Sequence, residues 1–217
     1  MAEVTERVPA KRRTRGRPLA EASVGPDVIL RAARSTFAKR GYDATSVREV
    51  ARELGIDAAL IAHHFGTKET LWLAVVEQIL ELAQPMFDAL RALRTSSLSH
   101  RDRVRRALEL CVDHEMDEPD MGMFFSTAAT EEGGRLDRLQ ERIVRPYHDA
   151  MFPLLADAVE AGAIRAVDPN VLFFMIASAV GTTVSYSHML LKFTSLPTRQ
   201  DAFRQAVLAV AFNIVGD

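Results

Sequence analysis

The sequence predicts an all-α chain: an N-terminal three-helix unit followed by a larger helical body, about nine helices in all. Three observations carry that expectation. Apolar residues recur at three- and four-residue spacing in segment after segment. Capping residues, glycines and prolines punctuate those segments at helix-length intervals. No stretch shows the two-residue alternation of a half-buried strand.

Residues 1–22 lack periodicity and read as a flexible basic arm. Pro26 suits the first position of helix one, Ile29, Ala33 and Phe37 give it a buried stripe, and Gly41 is placed to end it. Ser46 and Glu49 have capping-box spacing at the start of helix two, where Val47, Val50, Ala51 and Leu54 share one apolar face. Gly55 ends that helix, and Asp57 caps a third over roughly residues 58–64. There Ile61 and Phe65 point inward, leaving Ala58, Ala59, Ala62 and His63 outward. Thr67 caps a fourth helix from Lys68 to about Ala83, with Pro85 marking its end or a kink. Helical patterns follow at about 100–116, 120–130, 134–161, 169–191 and 198–215. Pro146 and Pro153 should bend the seventh, Asp168-Pro169 opens the eighth, and Thr198 with Asp201 repeats the box spacing in the ninth.

Composition fits a globular chain, 48% hydrophobic and 26% charged. The net charge of −2 hides an asymmetry: 13 Lys and Arg against 8 Asp and Glu through residue 68, then 14 against 21. A basic front and an acidic rear suit a nucleic-acid binder whose second part avoids phosphate. The lone cysteine, Cys111, excludes an intramolecular disulfide and fits a reducing compartment such as the cytoplasm. The polar N-terminus shows no secretory signal. Residues 171–191 carry no formal charge, but Thr182, Thr183, Ser185, Ser187 and His188 crowd their second half. A helix buried among helices explains them better than a membrane span.

Residues 41–68 hold two short helices joined by a Gly-centred turn, the arrangement that projects a second helix into a DNA major groove. Small side chains on the third helix allow close approach, and Ala methyls can meet thymine methyls. His63 and His64 can donate to phosphates or bases. Thr45 and Ser46 lie at a helix N-terminus, where free amides attract phosphate, and Lys68 stands at the next. The candidate DNA contacts are Arg15, Arg17, Thr45, Ser46, Arg48, Ala58, Ala59, Leu60, Ala62, His63, His64 and Lys68. Arg15-Gly16-Arg17-Pro18 resembles the core of an AT-hook, so the arm either enters a narrow A·T minor groove or gives nonspecific attraction. Neighbouring histidines diverge by about 100° on a helix, and no third ligand has suitable spacing, so no metal is expected.

The stretch from about Ile29 to Leu73 resembles the tetracycline-repressor (TetR) family of bacterial transcription regulators. Phe37, Gly41, Tyr42, Thr45, Ser46, Val47, Val50, Ala51, Gly55, Ile56, Phe65, Gly66, Lys68 and Glu69 stand where the family pattern wants them. One departure is Ala62, which occupies a position where many members carry a backbone-contacting Tyr. The resemblance implies a helix-turn-helix domain over residues 23–68 and an effector-binding and dimerisation body over 69–217. It also implies a homodimer built through the last two helices, a palindromic double-stranded operator, and a small-molecule effector that relieves repression, with no catalytic residues and no cofactor.

The residues allow the same roles. Ala177, Gly181 and Ser185 form a small-residue row, and Phe203, Val207, Val210 and Ile214 form a stripe; both suit either a four-helix interface between two chains or a monomer core. Trp72, Phe87, His114, Met116, Met121, Met123, Phe124, Phe125, Tyr147, Met151, Phe174 and Tyr186 are candidates to line an apolar pocket or fill the core, with His114 or Tyr147 as polar anchors. The alternative is a helical small-molecule binder or enzyme with a non-functional DNA-binding fold. It lacks support, because no nucleophile–base pair, phosphate loop or metal spacing is present.

Overall fold

The computed structural model describes residues 24–131 and 133–216. The expected contacts Arg15 and Arg17, with the rest of the arm, lie outside them. Among the described residues every regular element is a helix. The N-terminal unit is α1 (Pro26–Arg40), α2 (Val47–Leu54) and α3 (Ala58–Phe65). The body comprises α4 (Lys68–Arg94), α5 (His100–Asp117), α6 (Met121–Ala128), α7 (Gly134–Leu139), α8 (Arg145–Glu160), α9 (Pro169–Ser185), α10 (Ser187–Leu190) and α11 (Gln200–Val215).

Local chemistry sets the short helices. Ser46 Oγ accepts from the Glu49 N–H while the Glu49 carboxylate accepts from the Ser46 N–H, closing the capping box. Gly55 ends α2 in the left-handed region at φ 66°, which a side chain would resist. Asp57 then caps α3 by accepting from the Ala59 N–H at 2.8 Å. Ile29, Phe37, Val50 and Ile61 converge on a core that continues into α4 through Leu71, Trp72, Val75 and Ile79. Met121, Phe124 and Ala128 of α6, with Leu139 and Ile143, close it from the body side. The N-terminal core thus extends well past residue 68.

Four elements depart from the sequence reading. Helix α4 runs through Pro85 to Arg94. Proline removes one ladder bond there, but Met86, Phe87 and Leu90 bury beyond it and hold the helix. The long segment ahead of Pro146 widens into a π turn over Gln140–Val144 between α7 and α8. Thr198 forms no capping box; it closes a 3₁₀ turn, Leu196–Thr198, and its hydroxyl donates to the Ser195 carbonyl at 2.8 Å. The uncharged stretch beginning at residue 171 also breaks at Tyr186, and no described helix is long and apolar enough to cross a membrane.

Candidate functional site

Helix α3 presents a face built from the sequence positions expected of it. Ala59, Ala62, His63 and His64 are exposed, and the first three fall at i, i+3 and i+4 on one side. Ala58 and Leu60 are half-buried. Ser46 and Arg48 are exposed at the start of α2. Arg40 and Arg52, which the sequence reading left aside, flank that start as exposed cations around Glu49. Hydrogen bonds from Ser46 hold the Glu49 carboxyl below the usual range, followed in effect by the nearby arginines.

Two expected phosphate contacts are engaged elsewhere. Thr45 is buried, with its hydroxyl donating to the Gly41 carbonyl at 2.8 Å, so its side chain is off the reading surface. The Lys68 ammonium donates to the Tyr42 carbonyl at 2.9 Å and lies 4.2 Å from the Tyr42 ring centroid. It braces the α1–α2 turn from within the chain. Arg135 of α7 also packs on the Tyr42 ring, at 3.9 Å.

That turn is one of several ties between the N-terminal unit and the body. Arg34 of α1 is buried at 3% exposure and pairs with Glu118 and, at 2.9 Å, with Asp120, both in the α5–α6 junction. The Thr127 hydroxyl donates to the Ala38 carbonyl at 2.8 Å, and Glu131 accepts from the Tyr42 N–H at 3.2 Å. Helices α4 and α6 therefore both connect reader to body. Arg34 carried a signal in the sequence, a lone cation one turn after Leu30 on an otherwise apolar side.

The body holds a partly open cavity of about 450 Å³, within the range of small-molecule sites. Phe87, His114, Met121, Phe125, Tyr147 and Phe174 line it, as the sequence suggested. Trp72, Phe124 and Met151 do not: all three are almost fully buried, the first two in the N-terminal core and Met151 in the body core. Met116, Met123 and Tyr186 also lie outside it. The sequence reading missed Glu115, Ser126, Gln140, Ser178 and Thr182, its polar lining. The π turn contributes Gln140, Ile143 and Val144 to one wall.

Polar groups around the cavity are perturbed by burial. Desolvation lowers His114 and so favours its neutral ring. It pushes Glu115 up to about 7, with the Asp120 charge adding to the effect. Tyr147 donates to Cys111 Sγ at 3.1 Å, and burial drives both groups upward, Cys111 to about 12. Cys111 is therefore a buried, protonated thiol. Among the described residues no His, Cys, Asp or Glu cluster could hold a metal ion.

Most of the residues expected to pair two chains are engaged within one chain. Gly181 and Ser185 face α6 inside the chain. A methyl on Gly122 would fall 2.3 Å from the Gly181 carbonyl, and Ser185 Oγ accepts from the Met123 N–H at 3.0 Å. Phe203 and Val207 are buried in the chain's own core, Ile214 packs against that core, and Ala177 lines the cavity. Two neighbouring helices within one chain already satisfy these side chains. Val210 is 60% exposed, and the other uncovered apolar groups include Val171, Phe174, Met175, Met189, Leu191 and Phe193.

Comparison with known proteins agrees with this geometry. Residues 29–75 match the model of the N-terminal domain of bacterial regulatory proteins of the tetR family. Residues 101–215 match a tetracyclin repressor-like C-terminal domain. The HTH-type transcriptional regulator RutR of Escherichia coli K12 is 24% identical over 191 residues, 88% of each chain. The crystal structure of HlyIIR, a hemolysin II transcriptional regulator, superposes with a TM-score of 0.64 at 20% identity, covering 88% of this chain and 97% of that one. FadR from Bacillus subtilis, solved with stearoyl-CoA, gives 0.59 at 16% identity, covering 87% and 96%.

Proposed function

Because the chain belongs to the tetracycline-repressor family of bacterial regulatory proteins, we propose that it is a sequence-specific repressor that leaves a palindromic operator when a largely apolar small molecule fills its body cavity. The protein is a DNA-binding transcriptional regulator, as its family and relatives are. The finer reading rests on one observation above the others. Ile79, Met121, Leu139 and Ile143 belong to the core beneath the helix-turn-helix and also line the cavity. A ligand pressing on those side chains presses on the frame that orients α3. The family neighbour solved with stearoyl-CoA supports a small-molecule occupant.

Pairing of two copies follows from the exposed apolar groups. Val171, Phe174 and Met175 occupy the outer face of α9, and Met189, Leu191, Phe193 and Val210 extend the uncovered apolar surface beyond it. Apolar patches of this kind are rarely left to solvent, and a second copy of the same face would cover them in an isologous contact. Phe174 also lines the cavity, so an occupant touches the pairing surface directly. Release then requires the ligand to favour a dimer whose two α3 helices no longer match successive major grooves, about 34 Å apart.

The test is fluorescence anisotropy of a labelled operator duplex, selected from random DNA, while candidate ligands are added. The reading requires that a compound binding the cavity lower DNA affinity by about tenfold or more, a coupling of at least about 1.4 kcal/mol. Cavity binding with unchanged DNA affinity would contradict it.

A further inference from the structure

We propose that the occupant of this cavity is an apolar molecule carrying a protonated amine, and that Glu115 is the group that anchors it. The inference rests on reading the cavity as the effector site and goes further by naming the ligand's charge. Its basis is an imbalance. Glu115 is the only Asp or Glu among the lining residues, and neither Lys nor Arg lines the cavity. Glu115 Oε2 is fully covered by protein and has no hydrogen-bond partner among the described residues. A buried carboxylate without a donor is costly.

None of the nearby groups donates to Glu115 Oε2. Arg34 turns one nitrogen to Glu118 and Asp120, leaves its Nε and Nη1 without partners, and does not line the cavity. The Tyr147 hydroxyl donates to Cys111. His114 lines the cavity beside Glu115, but burial favours its neutral form. Across from the carboxylate stands Gly181, where even a methyl would sit 3.6 Å from both carboxylate oxygens. Gly122 packs against Gly181 from the other side, so the carboxyl is reached from the cavity that Glu115 lines.

The rest of the cavity favours the same ligand. Phe87, Phe125, Tyr147 and Phe173 supply ring surface that attracts a cation as well as an apolar body. Burial raises the Glu115 carboxyl, with the Asp120 charge adding to it, and a bound ammonium would hold it ionised. An anionic ligand would meet one acid and neither Lys nor Arg.

The test is calorimetric titration of the full chain at pH 7.5 with three probes of matched shape: 4-phenylbutylamine, 4-phenylbutanol and 4-phenylbutyrate. The amine should bind about tenfold tighter than the alcohol or better, the advantage expected of a charge-assisted bond, and the carboxylate should bind weakest. In Glu115→Gln the amine and alcohol should converge while alcohol binding persists, which also shows that the variant is folded. A carboxylate that matches the amine, an unchanged amine-to-alcohol ratio in Glu115→Gln, or failure of all three probes to bind would overturn the proposal. Amine binding that leaves a labelled duplex bound would overturn ligand-driven release while upholding the ligand class. Release by the carboxylate but not by the amine would do the reverse.

Discussion

The helix-turn-helix and the body cavity solve opposite problems. The first holds Ala59, Ala62 and His63 out in solvent on a frame closed by near-neighbour bonds, such as those between Ser46 and Glu49. The second encloses one acid, Glu115, among walls drawn from α4 through α9. A surface meant for a charged polymer can be specified by caps and turns. A cavity meant for a small molecule needs distant segments to meet closely while leaving a void between them. The reader should therefore tolerate the loss of single contacts better than the body does.

The sharpest way to break that contrast is at Gly122. A Cβ there would lie 2.3 Å from the Gly181 carbonyl and 2.7 Å from Ser185 Oγ. Backbone cannot retreat as a flexible side chain can. Gly122→Ala should cost about 3 kcal/mol or more, read from denaturant unfolding. A loss of under about 1 kcal/mol would mean that α6 and α9 separate easily.

Arg34→Ala comes next, because it leaves Glu118 and Asp120 facing each other without a cation. A loss of about 2–3 kcal/mol is expected, below the range for a fully buried pair because both acids are partly exposed. The same variant should weaken communication between ligand and DNA. If anisotropy showed equal ligand response in Arg34→Ala and the parent, the route through α6 would be idle.

Glu115→Gln should stabilise, and its pH dependence carries the sign. The unfolded carboxyl titrates near 4.5 and the folded one near 7, so the folded state holds the proton more tightly. Stability falls as pH rises between those values, and the glutamine variant is spared that loss. The gain should be on the order of 2 kcal/mol at pH 8 and near zero at pH 4. Thermal melts at both pH values measure it; an equal gain at each would mean the carboxyl is not elevated.

The smallest effect belongs to the reader's frame. Ser46→Ala removes the α2 cap and should cost about 1 kcal/mol, while leaving the cavity's ligand affinity unchanged by calorimetry. A change in ligand affinity larger than about twofold would show that the α2 cap is felt at the cavity through the core the two regions share.

The same division explains what the residues disclosed by themselves. Ser46, Glu49, Gly55 and Asp57 act on neighbours within a few positions, so spacing alone placed α2 and α3. Thr45 was misplaced on the surface because its bond to Gly41 turns the hydroxyl inward, a detail of the turn's path. Gly181 and Ser185 read equally well as a pairing row or an internal seam. Their partner, Gly122, lies about sixty residues away and has no periodic signature. Phe203 and Val207 form a true apolar stripe, but the stripe cannot state whose core it enters. Glu115 was invisible for a related reason. In ELCVDHEMDE it is one acid among several, and only tertiary packing turns it to the cavity and covers its Oε2.

One measurement addresses the union of both regions: sedimentation of the purified chain with a duplex selected from random DNA, followed by footprinting. The expected result is two chains per duplex, protecting half-sites related by two-fold symmetry about one helical turn, roughly 34 Å, apart. One chain per duplex, or protection without half-site symmetry, would contradict a reader that works in pairs through the body's exposed apolar face.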